Sequence, residues 1–133
     1  MSEENVEIVR RAFEAYDRGD IDRAVADFAP DCEYTATGAI PGKSGVFRGP
    51  EGYKEFFGWL RGEFDKARVD IDELIDAGES VVVAATIRGR GKQSGAPARW
   101  NIWQVWTVRD GMFVRGKGFT NRDEALEAAG LSE

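Results

Sequence analysis

The chain has 133 residues, of which 42% are hydrophobic and 32% are charged, and its formal net charge is −6 with no histidine. This length fits a single domain over residues 1–133, and the acidic balance argues against nucleic-acid binding through phosphate neutralisation. No apolar run approaches the ~20 residues that span a bilayer, and no secretory signal is visible, so we expect a cytoplasmic protein without a membrane partner.

Two helices are predicted at the N-terminus. The first is indicated by apolar residues that recur at spacings of three and four, namely Val6, Val9, Phe13 and Tyr16. Gly19 is expected to end it, and Asp20 is suited to cap the second helix. The second helix is predicted to bury one stripe and to end at Pro30; the stripe consists of Ile21, Ala24, Val25 and Phe28.

A strand, a loop and a third helix are predicted next. Residues 32–37 favour a short strand that contains Cys32, the only cysteine. A lone cysteine excludes an intrachain disulfide and a cysteine-built zinc site, and no metal or cofactor is predicted. Residues 38–49 are interpreted as a loop, rich in glycine and without phosphate-binding spacing. Pro50 suits the start of the third helix, whose apolar face is Tyr53, Phe56, Phe57, Leu60 and Phe64.

Four strands and a short helix complete the chain. The first two strands are indicated by Val69–Leu74 and by the β-branched run Val81–Arg88. Asp110-Gly111 is a strong hairpin signal between the last two, and an alanine-rich helix follows. The expected class is α+β, with three helices packed on a strongly curved antiparallel sheet, an α-β cone roll, and a short C-terminal helix.

This order of elements, together with several short motifs, resembles the SnoaL-like branch of the nuclear transport factor 2-like superfamily. The motifs are Asp17–Asp20, Phe28–Asp31, Phe47–Gly52, Arg109–Gly111 and Asn121–Gly130. The resemblance runs nearly end to end and implies a cone with an internal pocket. It implies little about the reaction, because this fold hosts isomerases, dehydratases, cyclases, epoxide hydrolases and binding proteins that catalyse nothing.

The catalytic sets of that superfamily do not transfer to this chain. Where the ketosteroid isomerase branch has a tyrosine, an aspartate base and a second acid, the matching positions are Ala12, Ala36 and Gln104. The histidines of the polyketide cyclases have no counterpart, and Arg88–Arg90 lacks the aspartate of the epoxide hydrolase pattern. We therefore predict no catalytic residue from these sets.

The predicted pocket is lined by aromatic and neutral polar side chains. Alternation along the last hairpin directs Trp100, Gln104 and Trp106 to one face. The resemblance implies that the side chains of Tyr34 and of the even-numbered residues of the run 82–88 face the interior. The candidate ligand-binding residues are Gln104, Tyr34, Trp106, Tyr16, Phe57, Arg88 and Trp100.

Several of these candidates also have a purely structural interpretation. Gln104 either orients a ligand oxygen or is satisfied by Tyr34, a buried water or the backbone. Tyr16 lies on a helical stripe and is expected more often in the core. Arg88 either binds a ligand carboxylate or lies at the rim, where it pairs with an acid of the third helix.

The opposite, convex face of the sheet and two glycines carry further predictions. Trp103 alternates with Gln104 and is expected on the convex face, which favours a homodimer through that face. Gly116 and Gly118 either enlarge the cavity or mark the close approach of an aromatic ring, and we favour the second.

Three functions remain open. The first is a binding protein for a small apolar molecule that carries oxygen. The second is an isomerase, cyclase or epoxide-hydrolase-type enzyme with a different acid–base set, such as Asp31 or Glu33 with Tyr34 as donor. It requires an inward carboxylate whose pKa is raised by burial. The third is a dimeric interaction module without catalysis.

Overall fold

A computed structural model of the protein describes residues 2–38 and 44–131. The elements are α1 (Ser2–Asp17), α2 (Ile21–Ala24), β1 (Phe28–Thr37), β2 (Ser44–Arg48), α3 (Gly49–Glu63), β3 (Phe64–Ala77), β4 (Ser80–Gly91), β5 (Pro97–Arg109), β6 (Met112–Phe119) and α4 (Arg122–Ala128). The strands form one sheet in the order β2-β1-β6-β5-β4-β3. The predicted α+β class, with helices on a curved sheet, is confirmed.

The sheet is antiparallel except where β1 meets β6. These two strands run parallel, with Tyr34 opposite Gly116 and Thr35 opposite Lys117. The parallel pair was not part of the prediction, because no short turn in the sequence joins the two strands. It brings the N-terminal strand beside the C-terminal hairpin, and this adjacency positions the site described below.

The predicted second helix was too long. Asp20 caps α2 as expected by accepting a hydrogen bond from the Arg23 backbone N–H, but the helix ends at Ala24. Phe28 instead begins β1 and is buried against Phe113, with ring centroids 5.0 Å apart. Burial of this aromatic side chain in the sheet overrides the helical spacing of the sequence.

The prediction of a loop over residues 38–49 was wrong for its second half, residues 44–49. Ser44–Arg48 forms β2, an edge strand paired with β1 in antiparallel register. Pro41 and Gly42 lie outside the described residues. Phe64, which was assigned to the apolar face of the third helix, begins β3 instead.

The interior of the cone holds the main core, and β4 contributes its odd-numbered side chains to it. Val81 and Val83 lie opposite Trp106 and Gln104 of β5, and all four side chains are buried. The prediction that the even-numbered side chains of the run 82–88 face inward was wrong by one residue. Both faces of this strand are apolar, so the sequence offers no alternation that would fix its register.

The convex face carries a second, smaller core under α4, which we call the outer core. Its buried residues are Val82, Val105 and Ala125, and Trp103 packs against them. The guanidinium of Arg122 lies 5.4 Å from the centre of the Trp103 ring. Trp103 is therefore on the face opposite Gln104, as predicted. None of the helices in the described residues combines the length and apolar content needed to cross a bilayer.

Asp17 joins the end of α1 to β3. Its carboxylate accepts two hydrogen bonds of 2.7 Å from the Arg68 guanidinium and one of 3.0 Å from the Val69 backbone N–H. The bonds from Arg68 hold the pKa of the Asp17 carboxyl below its ordinary value of 3.8, although partial burial acts in the opposite direction.

We expect Asp17→Asn to destabilise the protein by about 1 kcal/mol at neutral pH, because the charged contacts are partly exposed. A lowered pKa in the folded state adds stability that is complete above the unfolded value and is lost as pH falls through the folded value. The difference in the free energy of unfolding between the parent protein and Asp17→Asn should thus be constant near neutral pH and shrink below about pH 4. Urea unfolding from pH 2.5 to pH 7 measures it; a difference independent of pH would contradict the assignment.

Candidate functional site

Four polar side chains from four elements converge inside the cone. Tyr16 comes from α1, Tyr34 from β1, Tyr53 from α3 and Gln104 from β5, and each is at most 3% exposed. We call these four residues the polar cluster. Each lies on the buried side of its own element, so the fold brings together residues separated by up to 88 positions.

Gln104 links two aromatic neighbours through its amide. Its Nε2 donates to the Tyr34 hydroxyl over 3.0 Å, and its Oε1 accepts from the Trp106 indole Nε1 over 2.8 Å. Residues 104 and 106 share one face of β5, which makes the second bond possible within a single strand. These two bonds fix the orientation of the amide and satisfy the indole N–H.

The hydroxyls of Tyr16 and Tyr53 differ from that of Tyr34. Both are buried, and neither has a hydrogen-bond partner among the residues that the structure describes. Burial raises the pKa of both phenols well above the usual value, and the neighbouring Tyr53 raises that of Tyr16 further. The two groups are therefore neutral hydroxyls that can each donate or accept a hydrogen bond.

Aromatic rings surround the polar cluster. Tyr34 stacks on Trp106 with centroids 5.3 Å apart, and Tyr16 stacks on Phe57 at 3.7 Å. Tyr53 contacts both Tyr16 and Trp106, at 5.6 and 5.4 Å. The two hydroxyls without a hydrogen bond thus lie near each other and near the Gln104 amide, enclosed by aromatic rings, and an unsatisfied polar group there costs about 1–3 kcal/mol.

Gly116 and Gly118 of β6 lie directly beneath this aromatic layer. A Cβ atom on Gly116 would be 2.5 Å from the Trp106 ring, and one on Gly118 would be 2.9 Å from the Tyr34 hydroxyl oxygen. The predicted close approach of aromatic rings to these glycines is confirmed. The space above the glycines is filled by Trp106 and Tyr34.

Five of the seven predicted ligand-binding residues meet in the interior: Gln104, Tyr34, Trp106, Tyr16 and Phe57. Arg88 does not join them, because it projects from the other face of β4 and pairs with Asp70 of β3 rather than with an acid of α3. Trp100 is half-buried and packs edge-on against Phe64, with centroids 4.8 Å apart, six residues along β5 from Trp106.

The acids proposed for proton transfer are not in the interior. Asp31 is exposed, and Glu33 is paired with Arg48 near the sheet edge. Among the described residues, the buried polar and charged side chains are Thr86, Gln104 and Thr107, so no carboxylate is buried there. Cys32 is buried, which raises the pKa of its thiol to about 12 and keeps it protonated.

Within residues 2–38 and 44–131, no set of three or more cysteine, aspartate and glutamate side chains is arranged to hold a metal ion.

Tyr53 is the polar group that sequence reasoning missed. Its helical spacing correctly indicated a buried face of α3, but spacing does not report whether a phenol oxygen finds a partner. A tyrosine within a stripe of phenylalanines was the available signal, since a buried hydroxyl normally needs a partner.

A curved sheet that encloses an aromatic interior beneath its helices defines the nuclear transport factor 2-like class of α+β folds. A model of the SnoaL-like domain matches residues 9–116, and the chain belongs to that family. The structural similarity and the family match therefore agree with the resemblance found in the sequence.

Solved structures give the same result. A nuclear transport factor 2-like protein from Burkholderia thailandensis is 28% identical over 95% of each chain, with a TM-score of 0.79. One from Burkholderia pseudomallei, of unknown function, is 26% identical over 93% of this chain and 95% of that one, with a TM-score of 0.78. A putative SnoaL-like polyketide cyclase from Jannaschia is 21% identical over 99% and 94%, with a TM-score of 0.76. Curated proteins give no significant match.

Proposed function

We propose that this chain binds a small, largely apolar molecule that carries at least one oxygen, and that it holds this oxygen at the polar cluster without catalysing a reaction. The observation that carries the proposal is the pair of buried hydroxyls of Tyr16 and Tyr53, which have no partner among the described residues. A ligand carbonyl or hydroxyl between them would accept or donate the missing hydrogen bonds.

The surrounding rings support this ligand class. Aromatic walls favour an apolar, flat molecule, and a few convergent polar groups fix its orientation. Tyr34 and Gln104 already satisfy each other, so they serve to hold the site in shape and leave Tyr16 and Tyr53 for the ligand. Since the rings are closely packed, entry of a ligand requires side chains such as Phe57 to change rotamer.

The acid–base alternative finds less support. Proton transfer requires a group whose pKa lies near the working pH, and burial has raised those of Tyr16 and Tyr53 far above it. In the part of the chain that the structure describes, no carboxylate is buried. The cone therefore suits binding and orientation better than proton abstraction.

The proposal is tested with 2-naphthol, which carries a hydroxyl, and naphthalene, which does not. We expect the parent protein to bind 2-naphthol more tightly, and Tyr16→Phe/Tyr53→Phe to reduce this preference by about tenfold, because one good hydrogen bond is lost. Titration calorimetry measures both affinities. Equal affinities for the two probes in the parent protein, or an undiminished preference in the variant, would contradict the proposal.

Loss of the Tyr16 and Tyr53 hydroxyls is expected to affect the free energy of unfolding differently from loss of the Tyr34 hydroxyl. Tyr16→Phe/Tyr53→Phe removes unsatisfied groups, so it should leave the free energy of unfolding unchanged or raise it by about 1 kcal/mol. Tyr34→Phe is the matched control, because it removes the acceptor of the Gln104 amide and should lower stability. A double variant that is as unstable as Tyr34→Phe would show that the two hydroxyls are satisfied internally.

A homodimer through the convex face and a cytoplasmic location stay predictions. The outer core under α4 occupies part of that face. Beside it lie Asp72, Thr86 and Asn101 of β3, β4 and β5, where the Thr86 hydroxyl donates towards the Asp72 carboxylate and the Asn101 amide oxygen. We infer that the partner contacts this hydrogen-bonded area, and sedimentation equilibrium would detect the dimer.

A further inference from the structure

Although the net charge of the protein is −6, six basic residues line one surface depression. The depression has a volume of about 660 Å³ and lies where the end of α1, the last turn of α3 and the paired ends of β3 and β4 meet. Its basic residues are Arg18, Arg61, Lys66, Arg68, Arg88 and Arg90, and Asp17 is the acid among its lining residues. We call this depression the basic basin.

Three of these cations are paired with a carboxylate within the protein, and Lys66 and Arg90 keep donors available. Arg68 is paired with Asp17, Arg88 with Asp70 and Arg18 with Asp20, while Arg61 donates to the Tyr16 carbonyl oxygen. Within residues 2–38 and 44–131, no carboxylate lies in ion-pair range of Lys66 or Arg90. Arg90 donates through Nη1 to the Gly95 carbonyl oxygen over 2.8 Å, so its remaining N–H groups are free for another acceptor.

The backbone at Lys66 is strained in a way that directs this residue into the basin. Lys66 has a φ of 57°, which side-chain-bearing residues adopt rarely. It lies in a β-bulge: Asp65 pairs with Arg90 and Arg68 with Arg88, so Lys66 and Ala67 together face Gly89. Bulges of this kind re-aim side chains and are frequent next to functional sites.

Gly89, the residue opposite the bulge, allows β3 to approach β4 closely at this point. A Cβ on Gly89 would lie 3.2 Å from the Asp65 carbonyl oxygen and 3.2 Å from the Phe64 Cβ. Glycine at this position lets the bulge lie close against β4, with Lys66 opposite Gly89, and both Lys66 and Arg90 line the basin. The basin is therefore shaped by the backbone as well as by side chains.

We propose that the basic basin is a second binding site, which takes a small molecule through a phosphate or carboxylate group. Guanidinium groups bind both anions in a planar, two-point geometry, and an ammonium group adds a point charge. The volume is in the range of small-molecule sites, and the overall negative charge disfavours a nucleic acid as occupant. The site is independent of the ligand proposed for the interior of the cone.

The test is an amide NMR titration of the intact protein with inorganic phosphate and with citrate at constant ionic strength. We expect saturable shifts confined to residues 17–19, 61, 66–68 and 88–90. The response to the two probes tells which anion the basin prefers. Vesicles that contain phosphatidylserine form a third arm, which tests for a lipid headgroup as the source of the anion.

Two double variants with the same net charge make the test specific. Lys66→Gln/Arg90→Gln should weaken binding by about tenfold, because two cationic contacts are lost. The matched control Arg115→Gln/Lys117→Gln lies on β6, outside the basin, and should leave the affinity unchanged. Absence of saturation in the parent protein, equal weakening in both variants, or binding to the vesicles alone would each overturn the proposal.

Discussion

Gly116→Ala is expected to destabilise the protein by about 3 kcal/mol, the upper end of the range for overpacking a core. The new methyl group would lie 2.5 Å from the Trp106 ring, closer than any real Cβ contact. The indole cannot move aside without cost, because its N–H is bonded to Gln104 and its ring stacks on Tyr34 and makes T-shaped contacts with Tyr53 and Phe113. Thermal unfolding should show a midpoint lower by about 10 °C.

Two controls make this result interpretable. Gly58→Ala adds the same methyl group on the exposed side of α3, where no atom lies within 4 Å, and should be neutral or stabilise by up to about 1 kcal/mol. Trp106→Phe combined with Gly116→Ala should recover part of the loss, since the smaller ring leaves room for the methyl group. A Gly116→Ala protein as stable as the parent would show that the layer is looser than these distances imply.

Gln104→Leu is expected to lower the free energy of unfolding by about 2–3 kcal/mol, although leucine is apolar and similar in size. The change leaves the Trp106 indole N–H and the Tyr34 hydroxyl buried without their partner. Each unsatisfied group costs about 1–3 kcal/mol, and better burial of leucine offsets only part of that. Urea unfolding monitored by circular dichroism gives the value.

The same variant also tests how Gln104 relates to ligand binding. If Gln104 orients a ligand oxygen directly, Gln104→Leu abolishes 2-naphthol binding. If it only holds Tyr34, Gln104→Leu and Tyr34→Phe should weaken binding to a similar degree. Gln93→Leu, which changes the same residue type in an exposed turn, is the control for both stability and binding. A Gln104→Leu protein with parental stability would contradict the buried network.

The last hairpin was predictable because a turn fixes its register. Asp110 and Gly111 both adopt positive φ, 52° and 78°, as a two-residue hairpin turn requires. Counting back from the turn therefore placed Gln104 and Trp106 on the correct face. The run Val81–Ile87 offered no such reference, because its residues are buried on both faces, and the inward positions implied by the resemblance were wrong by one residue.

The polar cluster shows where sequence reasoning ends. The spacing of Tyr16 and Tyr53 indicated buried helix faces, which the structure bears out. Whether a hydroxyl on such a face is satisfied depends on the relative placement of α1, α3 and β5 to within about one ångström, since hydrogen bonds weaken steeply with distance. Local spacing contains no information at that precision. The positive φ of Lys66 could not be predicted from the sequence either, because a bulge depends on the pairing of two strands.

The parallel pairing of β1 with β6 delays completion of the sheet until the end of synthesis. β1 has two neighbours in the sheet, and one of them lies some eighty residues further along the chain. During synthesis Tyr34 thus reaches its place beside Gly116 only after residues 112–119 have left the ribosome. Pairings between such distant segments form slowly, since the loop between them must close first. Until the final strand arrives, the aromatic interior is open to water and exposed to aggregation.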